Sequence, residues 1–259
     1  MSRPRVYKTE AIVLRHQNLG DADKIVTVYS PFLGKLRVVG KGVLKPRSRV
    51  GGHVEPLSRV SLLIARGNSL DVISQVSPID SFVGLRDDLR RTAQALYAAE
   101  LLDLFTGEED ATPELYEAFL ETLKALTVNR DGGLVLRRFE LRLLTFLGFA
   151  PELDSCVVCR ASGVGGGASF SPLAGGLVCG SCAEGDGSAR PISRDALVSL
   201  RYLRKADLSE ISEKVTPERL AREMEVTLGR YIRYQLERDV RSAGFLDRLA
   251  ALPSGMQQS

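Results

Sequence analysis

Four cysteines are the residues of this chain with the clearest capacity for chemistry. They are the only cysteines in the sequence and follow the pattern C-x2-C-x19-C-x2-C: Cys156, Cys159, Cys179 and Cys182. A two-residue spacer lets one tight turn present two sulfurs to the same ion, and two such turns supply four thiolates to a tetrahedral zinc. Gly180 lies in the second turn, where it could adopt a positive φ without steric cost. The spacing predicts one structural Zn²⁺ per chain.

Other uses of the cysteines are open on sequence grounds. Two disulfides would require an oxidising compartment, but the first residues, MSRPRVYKTEAIV, contain no apolar signal region with a small-residue cleavage site. A redox role for one C-x-x-C pair is disfavoured because both pairs occur together. A catalytic zinc is also disfavoured, because four protein ligands leave no open position. We therefore expect a cytoplasmic protein with reduced thiols.

A run of basic residues near the N-terminus is the second feature with chemical capacity. Residues 1–54 contain eleven Lys or Arg and three acids, a net charge of +8, whereas the whole chain has +3, so the rest sums to −5. Such a local positive field attracts phosphates whatever the overall charge. The candidate phosphate-binding residues are the seven cations between positions 24 and 54, where no acid occurs: Lys24, Lys35, Arg37, Lys41, Lys45, Arg47 and Arg49.

A well-solvated loop between strands is the alternative interpretation of this basic segment, since ordinary surfaces carry many charged residues. The length of the run without an acid favours a polyanion-binding surface. Aromatic residues for stacking on bases are few: Tyr7, Tyr29 and Phe32 are the nearby ones, and Tyr29 would share a strand face with Ile25 and could belong to the core. Sequence-tolerant binding to the phosphate backbone is therefore the expectation.

Catalytic motifs are missing from the sequence. There is no G-x4-G-K-[ST] motif, and the run Gly163-Val164-Gly165 lacks the flanking strand and helix of a dinucleotide site. Nothing marks the two histidines, His16 and His53, as a pair. No apolar run approaches the ~18 residues that a membrane span needs. The sequence predicts neither an enzyme nor a membrane protein.

Elements of two kinds must position these residues. The first 80 residues contain five runs rich in Val, Ile and Leu, separated by turn residues: TEAIVLRH, KIVTVYS, KLRVVGK, LSRVSLLIA and SLDVISQV. Five strands without an intervening helix favour a small closed barrel of the oligonucleotide-binding (OB) type, although an SH3-like barrel fits the same pattern. From Pro78 onward the apolar period is helical.

Five helices are predicted from this period and from cap signals. The first covers residues 85–105, and the third has the sequence GLVLRRFELRLLTFLGF. The second begins at Thr112-Pro113-Glu114 and the fourth at Ser193. The fifth begins at Thr216-Pro217-Glu218 and extends to about Asp239.

The chain is thus predicted to be an α+β protein of several modules. These are an OB-type barrel over 1–79, a helical domain in two parts over 80–150 and 191–250, a zinc-binding module over 151–190, and a flexible tail over 251–259. Residues 151–190 contain all four cysteines and nine glycines. A module this small, with little apolar bulk, needs a staple.

The third predicted helix carries arginines among apolar residues. It is apolar on most of its circumference, which indicates a buried bundle helix. Arg137, Arg138 and Arg142 beside exposed hydrophobic residues could receive an acidic, hydrophobic peptide. Packing with snorkelling arginines is the interpretation that the residues alone favour.

Three stretches resemble one family of bacterial proteins. They are TEAIVLRHQNLGDADKIVTVYSPFLGKLRVVGKGVLKPRSRVGGHVEPL, LRRFELRLLTFLGFAPELDSCVVC and RYIRYQLERDVRSAGFL, and they are similar to the RecO family of DNA repair proteins, the recombination mediators. The similarity extends over almost the whole chain. It implies an N-terminal OB domain, a helical domain and a zinc module inserted between helices.

The resemblance also implies a non-catalytic activity on DNA in the nucleoid. Members of the family bind single- and double-stranded DNA and anneal complementary strands. With their partner RecR they help RecA to displace the single-stranded-DNA-binding protein SSB. The pattern G-K-L…G-K-G…K-P-R-S-R makes five residues candidates for contact with DNA: Lys35, Lys41, Lys45, Arg47 and Arg49.

Two further expectations follow from the resemblance. The match to L-R-R-F-E-L makes Arg137 or Arg138 a candidate contact for the acidic C-terminal tail of SSB. Cysteine ligands are not universal in the family, and all four are present here. The alternative function is a zinc-containing protein–protein adaptor, in transcription or another nucleic-acid machine, whose zinc module is the contact surface.

Overall fold

The computed structural model describes residues 5–45, 51–128, 132–162, 167–211, 216–237 and 240–250. It divides into two compact units, which we call the first unit (1–127 with 242–259) and the second unit (128–241). Within the described residues, no helix has the length and apolar character needed to cross a membrane. The predicted α+β class is confirmed.

The first unit contains a closed five-stranded barrel. Its strands are β1 (Val6–Leu19), β2 (Asp23–Ser30), β3 (Gly34–Gly40), β4 (Arg59–Ala65) and β5 (Asp71–Asp80). Their order around the barrel is β1-β2-β3-β5-β4. The prediction of an OB-type barrel is confirmed.

Strand β1 closes the barrel by pairing with two neighbours. Its residues 6–12 pair with β4, and its residues 12–19 pair with β2, both antiparallel. The register shifts between Val13 and Arg15, and such a bulge increases bend and twist in a strand. Alternate residues of β4, Val60, Leu62 and Ile64, are fully buried. The period of two in the sequence therefore fills the barrel interior.

The remaining elements are mostly helical. The helices are α1 (Val83–Arg86), α2 (Leu89–Phe105), α3 (Pro113–Val128), α4 (Gly133–Phe146), α5 (Gly180–Ala183), α6 (Arg194–Lys205), α7 (Leu208–Ile211), α8 (Glu218–Leu236) and α9 (Arg241–Ala250). The second unit also has a small sheet of β6 (Ser169–Ser171), β7 (Gly176–Val178) and β8 (Arg190–Pro191), in the order β7-β6-β8.

Local cap signals gave some helix starts correctly. Helix α3 begins at Pro113, and the Thr112 carbonyl accepts the first backbone bonds. Ser193 caps α6 by accepting from the Ala196 N–H at 3.1 Å. Helix α4 is buried along most of its length, as predicted for a bundle helix.

Other helix boundaries differ from the prediction. Residues 85–105 form two helices, because Asp88 accepts from the Arg91 N–H and starts α2 as a separate element. Helix α8 has Pro217 as its N-cap, with no side-chain bond, and it ends at Leu236 because Glu237 adopts a positive φ of 53°. Helix α9 was not predicted as an element, and its start is fixed by Ser242, whose N–H and hydroxyl donate to Glu100 of α2.

Two glycines at turns of the barrel allow a test of how β3 is held. Gly34 has φ +65°, and an added Cβ would lie 2.4 Å from the Asp110 carbonyl group, whereas Gly20 has φ +62° with nothing within 4 Å. Gly20→Ala should lower the free energy of unfolding by roughly 1–2 kcal/mol, the cost of the left-handed conformation. Gly34→Ala should cost a further ~1–3 kcal/mol through overpacking, measured by urea unfolding. Equal effects of the two substitutions would contradict the close approach of Asp110.

Candidate metal centre and nucleic-acid interface

The four cysteines converge in the second unit. The sulfurs of Cys156, Cys159, Cys179 and Cys182 all lie within 4.8 Å of one another, and all four thiols are free. Cys159 Sγ and Cys179 Sγ are 3.8 Å apart. A tetrahedral Zn²⁺ with Zn–S bonds of ~2.3 Å places its sulfurs roughly 3.8 Å apart. The donor set and its spacing therefore fit a metal ion.

Two tight turns present these sulfurs. In the first turn, the Arg160 N–H donates to the Cys156 carbonyl at 2.9 Å, and Arg160 itself adopts a positive φ of 61°. In the second turn, Cys179 is the N-cap of α5 and its carbonyl accepts from Ala183 at 2.9 Å. The expectation of a positive φ at Gly180 is wrong, because Gly180 is the first residue of that helix.

Backbone pairing around β7 brings the two turns together. Strand β7 pairs with β6 as an antiparallel hairpin. On the other side of β7, the Leu177 N–H donates to the Glu152 carbonyl and the Leu177 carbonyl accepts from the Val157 N–H. Gly176 permits this approach, since a Cβ there would lie 2.3 Å from the Glu152 carbonyl oxygen. Cys156 therefore lies beside β7, and Cys179 follows directly at its end.

The electrostatics of the cluster favour a divalent cation. Backbone N–H groups of Cys159 and Cys179 point at the Cys156 sulfur and lower the pKa of this thiol to about 6. Hydrogen bonding to the sulfurs of Cys179 and Cys159, together with burial, raises the pKa of Cys182 to about 12. Four thiols so close cannot all ionise without compensation, and a bound metal supplies it by replacing their protons.

Two of the predicted phosphate-binding lysines have partners inside the first unit. Lys24 is 8% exposed, and its Nζ lies 3.1 Å from His16 Nε2 and 3.4 Å from Glu55 Oε1. Lys35 donates to the carbonyls of Asp103 and Thr106, both at 2.6 Å. Direct contact of either ammonium group with DNA stays a prediction, and it would require these bonds to break.

Arg37 lines a groove of mixed charge. The groove encloses about 870 Å³, and its walls carry five Lys or Arg and five Asp or Glu. Arg37 Nη1 lies 3.6 Å from Glu108 Oε1. Of the three aromatics considered for stacking, Tyr29 is fully buried, Tyr7 donates to Asp71 at 2.7 Å, and Phe32 is 78% exposed at the edge of the groove. The balance of charge gives the groove no general preference for a polyanion.

Lys41 and Lys45 are exposed on a turn that follows β3. This turn is fixed beside the β1–β2 connection, because the Gly42 N–H donates to Asp23 Oδ1 at 2.7 Å and the Leu44 N–H donates to the Ala22 carbonyl at 3.0 Å. Loops at this connection border the ligand-binding face of OB folds. Arg47 and Arg49 lie outside the described residues, so their part in DNA binding stays a prediction.

Arg137 and Arg138 are buried within the second unit. Each is 5% exposed; Arg137 Nη2 bonds Glu140 Oε1 at 2.6 Å, and Arg138 Nε donates to the Ala206 carbonyl at 2.7 Å. Their contact with an acidic peptide stays a prediction, and it would require both buried side chains to become accessible.

Sequence reasoning missed a second group of cations. In the second unit the charges of Arg190 and Arg233, after burial, help to lower the pKa of Arg230, although 40 residues separate Arg190 from Arg230 in sequence. No local sequence motif predicts that these three arginines lie near one another, since strand β8 and helix α8 are brought together by tertiary packing. Helical spacing could have identified Arg230 and Arg233, which are three residues apart on α8.

Comparisons with known proteins agree across the chain. Residues 1–82 match the family model described as Recombination protein O N terminal, and residues 86–243 match Recombination protein O C terminal. A DNA repair protein RecO of Roseiflexus sp. (strain RS-1) is 42% identical over 246 residues, which cover 95% of this chain and 86% of that protein. The DNA repair protein RecO of Pelotomaculum thermopropionicum is 35% identical over 251 residues, 97% of each chain.

The buried pair on α4 predicts a large effect on stability. Arg137→Ala should lower the free energy of unfolding by about 3–5 kcal/mol, because Glu140 is fully buried and would lose its bond to the guanidinium. Replacing both Arg137 and Glu140 by Met should recover most of that loss of stability, since an apolar pair leaves no buried charge without a partner. Thermal and urea unfolding measure both effects.

Arg142→Ala is the matched control on the same helix. Arg142 is only partly buried and lies over the Phe146 ring at 5.2 Å, so its loss should cost about 1 kcal/mol or less. An Arg137→Ala protein as stable as this control would contradict a structural role for the buried pair.

Proposed function

The chain belongs to the RecO family of DNA repair proteins, and we propose that it is a non-catalytic recombination mediator. In this proposal it binds single- and double-stranded DNA, anneals complementary strands and helps to load RecA onto SSB-coated DNA. The observation that supports it most directly is an OB-type barrel with exposed lysines beside the β1–β2 connection. Within the cell, such a protein would act in the cytoplasm, at the nucleoid.

The primary DNA contacts in this proposal are Lys41 and Lys45, extended along the chain by Arg47 and Arg49. Both lysines are exposed on a turn held by backbone bonds, so they can neutralise phosphates without first leaving a protein partner. Lys24, Lys35 and Arg37 are assigned a smaller part. Because each is paired with a carboxylate that offsets its charge, they contribute less to phosphate binding than Lys41 and Lys45 do.

The metal in this proposal is one structural zinc per chain, held by Cys156, Cys159, Cys179 and Cys182. When bound, it crosslinks the two turns and leaves no position open for catalysis. Four thiolates and one Zn²⁺ sum to −2, so the metal site does not attract phosphate. The chain's own cations have to supply that attraction.

The protein partners in this proposal are RecR, the SSB tail and, through filament loading, RecA. An acidic SSB tail at Arg137 or Arg138 requires these side chains, each 5% exposed, to become accessible to carboxylates of the tail. The adaptor alternative, in which the cysteine module is a protein contact and the barrel is merely basic, has no DNA-dependent step. A DNA-binding measurement therefore separates the two functions.

The barrel turn predicts a specific salt dependence of DNA binding. If about five phosphates of single-stranded DNA are neutralised, log K should fall against log salt with a slope of roughly −3.5. The double substitution Lys41→Ala and Lys45→Ala should flatten that slope by about 1.4, since two phosphate contacts are lost. Fluorescence anisotropy with a labelled oligonucleotide measures the slope.

Arg90→Ala with Lys124→Ala is the matched control, because both residues are exposed on helices of the first unit. This pair removes the same charge and should leave the slope unchanged. A strand-annealing assay with and without SSB then tests the mediator activity. Wild-type protein that binds DNA but does not accelerate annealing would refute the mediator function and leave only a DNA-binding protein.

The cysteine cluster predicts a stoichiometric metal. Metal analysis of reduced, untagged protein should find about one zinc per chain. Cys159→Ser should reduce zinc content strongly and lower the melting temperature, since it removes one of four ligands from a module with little apolar core. Zinc-free protein with an unchanged melting temperature would exclude the structural role.

A further inference from the structure

Three arginines of the second unit form an arginine cluster: Arg190 on β8, and Arg230 and Arg233 on α8. The β6–β8 pair lies against α8, because Arg190 pairs with Phe170 and the Phe170 ring packs edge-on against Tyr231, with centroids 5.6 Å apart. Tyr231 directly follows Arg230. Packing of the cysteine-containing module on α8 therefore places cations from distant parts of the sequence together.

The loop that leads into β8 orients two of these guanidinium groups. Arg190 Nη1 donates to the carbonyls of Gly187 and Ala189 at 2.8 and 2.7 Å, and Arg230 Nη2 donates to the Ser188 carbonyl at 2.8 Å. The loop is itself fixed, since Asp186 accepts from the Ser188 N–H at 2.8 Å and from its hydroxyl at 2.7 Å. Arg190 and Arg230 are thus held in place by neutral backbone carbonyls, which do not offset their positive charge.

No carboxylate forms an ion pair with the three arginines among the residues that the structure describes. Two acids of the same elements have other donors: Asp186 binds the Ser171 and Ser188 hydroxyls, and Glu223 binds Ser193 through its N–H at 2.6 Å and its hydroxyl at 2.8 Å. Burial, together with the charges of Arg190 and Arg233, lowers the pKa of Arg230. Like charges so placed repel each other, and a bound anion would remove that repulsion.

Donor groups for such an anion remain on all three side chains. A guanidinium has five N–H donors, and the bonds within the described part of the chain use only Nη1 of Arg190 and Nη2 of Arg230. Arg233 is exposed, and among the residues that the structure describes no hydrogen-bond acceptor contacts its guanidinium group. Tyr234 lies four residues after Arg230 on α8, which places the two on the same face of the helix, and it is 45% exposed.

We propose that Arg190, Arg230 and Arg233 bind the phosphodiester backbone of single-stranded DNA, as a second binding site on the second unit. Arginine forks match phosphate oxygens in pairs. An exposed tyrosine beside them suits base stacking, which single-strand sites combine with backbone contacts. This inference rests on the proposed DNA-binding function and adds a site outside the barrel.

The test uses the full chain with Arg190→Ala and Arg233→Ala, which removes two cations and keeps the more buried Arg230. Anisotropy titrations with a labelled oligothymidine should give a log K against log salt slope flatter than wild type by about 1.4. The affinity ratio of wild type to variant should therefore fall about sevenfold between about 50 and about 200 mM salt. When these two substitutions are combined with Lys41→Ala and Lys45→Ala, the two reductions in the steepness of the slope should add.

The matched control is Lys205→Ala with Arg222→Ala, which removes two exposed cations elsewhere in the second unit and should keep the wild-type slope. Zinc content and melting temperature of each variant verify folding. If the double variant is unstable, the single substitution Arg233→Ala tests the site, because that side chain makes no bond to any residue that the structure describes. It should flatten the slope by about 0.7.

The outcomes separate the two proposals. Wild-type protein without salt-dependent DNA binding overturns the proposed function and this site together. Wild-type binding with an unchanged slope in the Arg190→Ala and Arg233→Ala variant overturns the second site alone. A variant that loses binding to phosphatidylglycerol vesicles or to inorganic phosphate, while its DNA slope stays at the wild-type value, likewise refutes a DNA site.

Discussion

Closure of the barrel depends on one strand that serves two partners. Strand β1 pairs with β4 along its first half and with β2 along its second half, and the bulge near Val13 lets one continuous strand do both. Because the backbone donors of the barrel are thereby used in pairing, its loops are left to meet other molecules. The turn with Lys41 and Lys45 gains its fixed position from this closure, since its bonds go to the β1–β2 connection.

The second unit contains two groups of residues with opposite charge, the cysteine cluster and the arginine cluster. The cysteine cluster would carry negative charge with a bound metal, whereas the arginine cluster carries positive charge. The loop of Asp186 and Ser188 lies between them in sequence and satisfies its own carboxylate with hydroxyl donors. That carboxylate therefore accepts its hydrogen bonds from serines and forms no ion pair with the arginines.

Much of the fold could be predicted because its signals are local. Alternation in the strands, the Thr112-Pro113-Glu114 cap and the paired C-x-x-C turns are each readable within a few residues. The features that escaped prediction depend on distant partners. Lys35 is held by a carbonyl 68 residues away, and the start of α9 is held by a carboxylate 142 residues away. Exposure of a cation cannot be inferred from its neighbours in sequence, which is why Lys24 and Lys35 looked equivalent to Lys41.

The pairing of β7 with residues 152–157 also bears on how the metal is acquired. Main-chain hydrogen bonds align the two cysteine turns, so the strands and a bound ion would close the same 19-residue interval. Pairing of the strands and binding of the metal would then reinforce each other. A shortage of zinc in the cell would therefore weaken the pairing of β7 as well as leave the cysteines without their ion.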